Sequence, residues 1–407
     1  MRWPAILLLL LVVLPCAAAA QTITKQPLLQ TMRGSELWLQ WETDSDPTPG
    51  QHFVDWGLAS VTENTAASTQ TLMVDASHFV HRAALTGLQP GTPYRYRVRS
   101  GPSQSPEYVF ETAPPIGAPL RVAWIADNQN QAGNPFLDVL NRIAPREIDF
   151  IGHAGDTVQN GAVVQEWEDF WAVPLEGAGN LGQTTPVLVA RGNHDGEFAT
   201  AYAYHWLPGN GSYYAETIGP ARFLFLDSNN EHRTAAQVQW LEAELMSPAS
   251  QDAVFRIAVF HRLPYTNLWC DANGYNGDVW TRQNFVPLFE QYGVDLVVSG
   301  HAHAYQRGEQ NGVTYTVVGG AGGLLDTFVP PAPWDFIDVA LSVHHYAIME
   351  VGGGLLRWTA YDLQDDVIDS FELGAPEGIP AAAPVARLAL GLLLVSVPAL
   401  AARRRVR

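Results

Sequence analysis

Five short blocks of Asp, Asn and His residues are spaced along the middle of this sequence. Their side chains are metal ligands that coordinate through oxygen or nitrogen, and no block contains a thiolate. Such ligands favour Zn, Mn or Fe over softer metals. Five blocks in one chain therefore indicate a centre of two metal ions. The blocks are Asp127-Asn128-Gln129, Gly155-Asp156, Gly192-Asn193-His194-Asp195, His261 and Gly300-His301-Ala302-His303.

Apolar, β-branched runs precede most of these blocks. Runs of this length that are bounded by Gly and Asn predict buried strands. Because open α/β sheets build their sites at the carboxyl ends of their strands, we expect the five blocks to meet at one edge. His153 lies within the strand region before Asp156 and is interpreted as a buried structural histidine. The runs are residues 121–126, 148–152, 186–190, 254–260 and 294–298.

The order of the blocks resembles the calcineurin-like metallophosphoesterase superfamily and, within it, the purple acid phosphatase-like branch. The family pattern is Asp, Gly-Asp, Gly-Asn-His-Asp/Glu, a lone His after a strand, and Gly-His-x-His. The string GHAHAYQRG at residues 300–308 is close to the purple acid phosphatase form of the last block. The resemblance covers roughly residues 118–372 and implies two facing mixed sheets flanked by helices.

The resemblance also implies how the blocks share two metal ions. Asp156 would bridge the ions, because the two oxygens of one carboxylate can reach both. Asp127 and His303 would complete the ligand set of one ion, and an amide oxygen of Gln129, Asn128 or Gln159 is a candidate for a further ligand. Asn193, His261 and His301 would complete the ligand set of the other ion. The implied ligands are thus Asp127, Gln129, Asp156, Asn193, His261, His301 and His303.

The implied reaction is hydrolysis of a phosphate monoester by metal-bound hydroxide, with a phosphorylated small molecule as substrate. His194 would stabilise the transferring phosphoryl group or protonate the leaving oxygen, and Asp195 would orient His194. A phosphodiesterase with the same site is one alternative. A surface binding or adhesion module with a structural metal site is another.

Two positions depart from the family pattern. Gln129 stands where many relatives have a His, two residues after the first Asp. Gln159 stands where purple acid phosphatases have the Tyr that ligates ferric iron. Because a tyrosinate ligand produces the purple colour, the sequence predicts a colourless protein that does not hold iron(III) in that manner.

Short alternating segments with turn signals between them predict an all-β domain over residues 22–113. The string LTGLQPGTPYRYRV at residues 85–98 resembles the late strands of fibronectin type III domains, with Tyr94 as the corner tyrosine. Purple acid phosphatases often carry such a domain at the N-terminus, so the two resemblances agree. A Pro-rich linker follows at residues 112–119.

Strand-like and helix-like segments alternate from Leu120 onward. The predicted fold is therefore an all-β sandwich followed by an α/β metallophosphoesterase domain over residues 118–373. Helices are predicted over residues 135–144, 163–171, 234–245 and 283–292. Further strands are predicted over residues 313–318, 346–351, 355–361 and 367–373.

Both ends of the chain predict export. Residues 1–20 combine Arg2, an apolar core and an A-x-A site, which is the pattern of a signal peptide. Residues 374–407 combine a linker, an apolar stretch and a basic end, which resembles a bacterial sorting or anchor tail. We expect a periplasmic, cell-surface or extracellular protein, with membrane attachment through the tail as an open alternative. The mature chain would keep only Cys270, which excludes an intrachain disulfide.

The net charge of −18 argues against a nucleic-acid partner, because such proteins carry a basic surface. The same charge means that the overall field does not attract anionic substrates. Attraction of a phosphate ester must therefore come locally, from the metal ions.

Overall fold

The computed structural model describes residues 21–47, 49–129, 135–171, 175–269, 274–327 and 334–374. The predicted signal peptide, the predicted tail and Cys270 lie outside these residues. Among the described residues, no helix is both long and apolar enough to cross a membrane.

The N-terminal region is a β-sandwich, as the alternating pattern predicts. One sheet has the strand order β1-β2-β6-β5, and the other has β4-β3-β7-β8 with β9 also paired to β7. In β7, Tyr94, Tyr96 and Val98 point into the core while their neighbours are more exposed. The strands are β1 Ile23–Arg33, β2 Glu36–Thr43, β3 His52–Gly57, β4 Asn64–Ala67, β5 Gln70–Asp75, β6 His78–Thr86, β7 Pro93–Ser100, β8 Ser103–Gln104 and β9 Tyr108–Glu111.

Tyr94 ties the edge of this sandwich to its backbone. Its hydroxyl oxygen accepts a hydrogen bond of 3.0 Å from the backbone N–H of Gln89, and its ring is buried. This is the contact expected of a corner tyrosine.

Two mixed sheets form the second part of the chain, as predicted. One has the order β12-β11-β10-β20-β21-β22 and the other β13-β14-β15-β16-β18-β17-β19. The strands are β10 Leu120–Ile125, β11 Phe150–His153, β12 Val187–Val189, β13 Tyr214–Ile218, β14 Ala221–Phe225, β15 Phe255–Arg262, β16 Leu296–Gly300, β17 Tyr305–Gln310, β18 Val313–Val318, β19 Ile337–Leu341, β20 His345–Gly352, β21 Leu355–Asp362 and β22 Val367–Gly374.

Helices flank these sheets. They are α1 Phe136–Ile143, α2 Val164–Phe170, α3 Leu181–Thr184, α4 Ala199–Tyr204, α5 Ala235–Leu245, α6 Pro248–Asp252, α7 Val279–Asn284 and α8 Val286–Tyr292, with 3₁₀ turns at Ala144–Arg146 and Asn230–His232. The single helix predicted over residues 283–292 is wrong. The chain forms α7 and α8 instead, with Pro287 in the first turn of α8, where its missing N–H costs nothing.

The central strands are buried on both faces. Every residue of β16 and β18 is buried, which is typical of parallel strands covered from both sides. The two sheets face each other across an aromatic contact, since the ring of Phe150 on β11 lies 5.3 Å from that of Phe223 on β14. The fold therefore agrees with the prediction of facing mixed sheets.

The β-sandwich also packs against the segment that contains α4. Side chains of the sandwich reach the last carbonyl oxygens of this helix, and Trp38 stacks on Trp206 with ring centroids 4.4 Å apart. Gln30 and Gln40 both donate to the carbonyl oxygen of Tyr204, over 2.6 and 2.5 Å. Because α4 begins four residues after Asp195, the sandwich contacts the chain close to one of the five blocks.

Candidate metal centre

The five blocks meet at one edge of the two sheets. Strands β10, β11 and β12 are parallel neighbours, and each ends just before one block. Strands β15 and β16 are parallel neighbours in the facing sheet; β15 contains His261, and β16 ends at Gly300. Because parallel strands end on the same side, this topology gathers Asp, Asn and His side chains from both sheets.

Four of the gathered residues have unusual backbone conformations. Asp127, Asp156 and His301 have φ values of 57°, 55° and 73°, and Gln129 has a φ of 26°. Residues other than Gly rarely adopt positive φ values, which cost about 1–3 kcal/mol per residue. Strain repeated at four candidate ligands indicates that the surrounding fold places them for a function.

Glycines allow the ligand loops to pack against each other. A Cβ atom at Gly192 would lie 2.1 Å from Oδ1 of Asp156. A Cβ atom at Gly300 would lie 2.4 Å from Oδ2 of Asp127. Both distances are far inside van der Waals contact, so only glycine fits at these positions. This explains why a Gly begins the third and fifth blocks.

Asp156, His261 and His301 form a cluster, with their ligand atoms all within 4.8 Å of one another. Oδ2 of Asp156 lies 3.0 Å from Nε2 of His261, and that nitrogen lies 3.2 Å from Nδ1 of His301. His261 donates from Nδ1 to the carbonyl oxygen of Ala154 over 2.9 Å. This bond fixes the ring so that Nε2 faces the cluster, as in ligating histidines.

Asp127 and His303 approach each other next to this cluster. Oδ1 of Asp127 lies 3.5 Å from Nε2 of His303 and 4.0 Å from Nε2 of His261. His303 donates from Nδ1 to the carbonyl oxygen of Leu324 over 2.6 Å, which again turns Nε2 toward the site. Oδ2 of Asp127 accepts the backbone N–H of His301 over 2.9 Å. The first and fifth blocks are therefore tied together.

Two buried oxygen atoms of the site have no hydrogen-bond donor among the described residues. They are Oδ1 of Asp127 and Oδ1 of Asn193. A buried carboxylate oxygen without a partner is costly, and a bound cation would remove that cost. The donor set therefore fits two metal ions held by oxygen and nitrogen.

The charges of the site also favour cations. Burial raises the pKa of Asp127 well above its usual range, which means that its carboxylate lacks compensating positive charge. Burial lowers the pKa of His261, but the carboxylates of Asp156 and Asp127 outweigh this and raise it to about 9. Burial acts against the charged form of Asp156 too, yet His261, His194 and His301 hold its pKa below the usual range.

His194 lies at the open side of the centre. Its side chain is 35% exposed, whereas those of Asp156 and His261 are 1% and 0% exposed. Nδ1 contacts the carbonyl oxygen of Gln159 over 2.7 Å, and Nε2 lies 4.0 Å from Oδ2 of Asp156. A hydrogen at Nδ1 that is donated to Gln159 leaves Nε2 facing the space above the carboxylate. This is the position of a group that meets a substrate.

Comparison with known proteins agrees with this geometry. Residues 120–305 match the calcineurin-like phosphoesterase family, and residues 26–112 match the purple acid phosphatase N-terminal domain. The chain carries a calcineurin-like phosphoesterase domain behind a purple acid phosphatase N-terminal domain. The predicted family is confirmed, and it indicates a phosphoric ester hydrolase.

Several relatives carry the name purple acid phosphatase. Probable purple acid phosphatase 20 of Arabidopsis thaliana is 24% identical over 88% of this chain and 88% of its own length. Probable inactive purple acid phosphatase 27 of the same plant is 23% identical over 72% of this chain, which spans only 59% of that relative. The purple acid phosphatase PPD1 from yellow lupin seeds shares the fold at a TM-score of 0.74 and 21% identity, covering 86% of this chain and 75% of that one.

The contacts of Asp195 differ from the prediction that this residue orients His194. Its buried carboxylate accepts hydrogen bonds from the backbone N–H groups of Asp156, Thr157 and Gly192 and from the hydroxyl of Thr157. The expected contact with the His194 ring is not among the hydrogen bonds of the described residues. Through these hydrogen bonds, the carboxylate of Asp195 holds the backbones of the second and third blocks together.

Gln129 also differs from the expectation. Its side-chain nitrogen donates to Oδ2 of Asp156 over 3.1 Å, so that the amide N–H, rather than the oxygen, faces the centre. In this orientation Gln129 contacts the candidate bridging carboxylate, and its role as a metal ligand stays a prediction. Gln159 interacts with His194 through its backbone oxygen and, at 3.1 Å, through its side-chain nitrogen.

Sequence reasoning missed one residue that supports the centre. The carboxylate of Asp326 accepts the backbone N–H of His303 over 2.9 Å, and its own N–H donates to the carbonyl oxygen of His303 over 3.0 Å. No motif surrounds Asp326, so no sequence signal indicates this role.

His153 is buried and contacts Oδ1 of Asn128 over 2.7 Å, in agreement with the structural role inferred from its position.

Proposed function

We propose that this protein hydrolyses phosphate monoesters of small molecules at a centre of two divalent metal ions. The observation that supports this most directly is the gathering of all five blocks at one sheet edge, with unpartnered oxygens on Asp127 and Asn193. The family of the chain supports the same reaction class. Some relatives carry names that include "probable inactive", so activity must be tested on this chain itself.

Different residues of the five blocks would bind the two ions. Asp156, His261, His301 and Asn193 would hold one ion, and Asp127 and His303 the other, with Asp156 between them. Bound cations would polarise the phosphoryl oxygens and activate water for attack. The side chains of Asp127, Asp156 and His261 are nearly inaccessible to solvent.

His194 would supply the proton or the hydrogen bond that the leaving oxygen needs. Its Nδ1 is held by the carbonyl oxygen of Gln159, which fixes the ring while Nε2 stays free. A positioned general acid of this kind contributes about 10²- to 10⁴-fold to the rate. Asp195 would act indirectly, by keeping the loops of Asp156 and Asn193 in register.

The test uses the full-length protein, stripped of metal and reloaded separately with Mn, Zn or Fe(II). Hydrolysis of p-nitrophenyl phosphate is compared with that of bis-p-nitrophenyl phosphate, and bound metal is counted by elemental analysis. We expect two ions per chain and faster hydrolysis of the monoester. His194→Ala should keep both ions and lose at least about 100-fold in kcat on an alkyl ester such as glycerol 3-phosphate, whose leaving oxygen needs the proton, and less on p-nitrophenyl phosphate, whose leaving group departs as a stable anion.

His78→Ala is the matched control, since His78 is a partly exposed histidine of the β-sandwich that pairs with Asp75 over 2.7 Å. It should keep full activity. Preference for the diester would move the assignment to a phosphodiesterase. Two bound ions with no turnover of either ester would refute the proposal and favour a binding module with a structural metal site.

We also infer from residues 1–20 that the protein is exported and cleaved before Gln21. Residues 374–407 would then attach it to the membrane or be removed by a sorting protease. The intact mass of protein from its native host tests both parts. A soluble chain that begins at Met1 and ends at Arg407 would refute them.

A further inference from the structure

A cavity of about 430 Å³ borders Asn193, one of the candidate metal ligands. We call it the Arg262 pocket; its lining includes Asn193, Glu197, Phe198, Asn229, Glu231 and Arg262. At about 30 Å³ per water molecule, this volume holds roughly a dozen waters. A phosphoryl group at the metal centre would leave most of it empty. The pocket therefore has room for the leaving group of a substrate.

Arg262 contributes an unused hydrogen-bond donor to this pocket. It directly follows His261 on β15, and its backbone N–H donates to the hydroxyl of Ser228 over 2.8 Å, which fixes its position. Its side-chain Nε is buried and has no acceptor among the described residues. A buried donor that lacks a partner costs about 1–3 kcal/mol, so a ligand that supplies an acceptor would recover this energy.

Asn229 contributes an unused acceptor. It is 3% exposed, and its Nδ2 donates to the carbonyl oxygen of Gly192 over 3.0 Å. This bond fixes the orientation of the amide and leaves Oδ1 without a donor among the described residues. Two residues that line the pocket thus carry an acceptor and a donor without partners among the described residues, and a backbone carbonyl holds the amide of Asn229.

The charge of the lining limits what can bind. Glu197 is already engaged by Nε2 of His232 over 3.1 Å and by the hydroxyl of Tyr202. Glu231 is exposed at the rim, so that two carboxylates accompany the single guanidinium of Arg262. A second phosphate on the substrate would meet both carboxylates. A neutral group that both donates and accepts hydrogen bonds meets no such repulsion, and a hydroxyl is the simplest such group.

We propose that the Arg262 pocket selects phosphate monoesters whose leaving group carries several hydroxyls, that is, sugar or polyol phosphates. Arg262 donates to one hydroxyl and Asn229 accepts from another, while the exposed ring of Phe198 provides an apolar wall. This inference rests on the proposed monoesterase function. A site built around substrate hydroxyls discriminates strongly against an analogue without them, because its own polar groups then stay unpaired.

The test compares glycerol 3-phosphate with propyl phosphate, which has the same carbon chain without the hydroxyls. Values of kcat/KM are measured for both with the metal-loaded full-length protein, together with p-nitrophenyl phosphate as a reference. We expect a ratio of at least about 10 in favour of glycerol phosphate, which corresponds to one hydrogen bond of about 1.4 kcal/mol. Arg262→Met should lower the ratio by about 10-fold, mainly through KM, because one of the two hydrogen bonds is lost while that to Asn229 stays.

Arg357→Met is the matched control, because Arg357 is an exposed arginine of β21 that pairs with Glu372 over 2.7 Å. It should keep the wild-type ratio. Equal kcat/KM values for the two esters in the wild type would overturn the inference even if Arg262→Met failed to fold. A ratio that Arg262→Met leaves unchanged would also overturn it, since Arg262 would then act on the phosphoryl group. No hydrolysis of any monoester, p-nitrophenyl phosphate included, would refute the proposed function and the inference together.

Discussion

Replacing Arg82 with methionine tests whether the β-sandwich holds the segment that follows His194. Arg82 lies on β6 and is buried, and its guanidinium donates to the carbonyl oxygens of Tyr202 and Ala203 at the end of α4. Burial lowers the pKa of Arg82 to about 10, so the group stays charged at neutral pH. Its charge and its donors therefore satisfy carbonyls that the helix itself cannot bond.

The expected loss follows from these contacts. Arg82→Met leaves two carbonyl oxygens without donors, one buried and one partly buried, at about 1–3 kcal/mol each. The apolar methionine side chain recovers part of this, so we expect the free energy of unfolding to fall by roughly 2–5 kcal/mol. Helix α4 has only 6 residues and is too short to persist without tertiary contacts. The loss should therefore loosen the chain between Gly196 and Trp206 first.

Two measurements check this reasoning. Urea unfolding followed by tryptophan fluorescence gives the stability change, and hydrogen exchange read by mass spectrometry gives the protection of residues 196–206. We expect faster exchange there and a lower kcat, because Asn193 and His194 directly precede this segment. Arg97→Met is the control, since Arg97 pairs with Asp55 over 3.2 Å in the other sheet of the sandwich. Unchanged exchange and kcat in a folded Arg82→Met protein would show that the sandwich does not position this segment.

Three further predictions concern metal binding, colour and acid stability. Gly192→Ala should lose bound metal and activity, because the new Cβ would lie 2.1 Å from Oδ1 of Asp156; normal metal content by elemental analysis would contradict this. Iron-loaded protein should show no visible charge-transfer band, because Gln159 replaces the tyrosinate, and a purple solution would refute that assignment. Burial depresses the pKa of His81 to about 3, so its neutral form stabilises the fold above pH 6.5, and this stability is lost as the pH falls toward 3. Between pH 6 and 4 the unfolding free energy of the wild type should fall more steeply than that of His81→Gln, by about 1.4 kcal/mol per pH unit; equal slopes in urea titrations would contradict it.

The local patterns carried most of the fold prediction. Alternation marked β7, and continuous apolar runs marked the strands that end at the metal centre, because both depend only on neighbouring residues. The break between α7 and α8 was missed although Pro287 signals it: in a helix over residues 283–292 this proline would be the fifth residue, where its ring and missing N–H interrupt the helix. The hairpin of β13 and β14 was also missed, although Gly219-Pro220 between the two strands is a turn signal.

The sequence by itself determined which residues could form the centre, because ligand type and spacing are properties of the chain. Only the tertiary structure decided their contacts. The roles of Asp195 and Gln129 depend on which backbone N–H groups and carboxylates lie within hydrogen-bonding distance, and those groups come from different blocks. The contacts of Asp326, and the position of Asn229 and Arg262 at one pocket, have no local signal, since distant segments meet there only after the two sheets face each other.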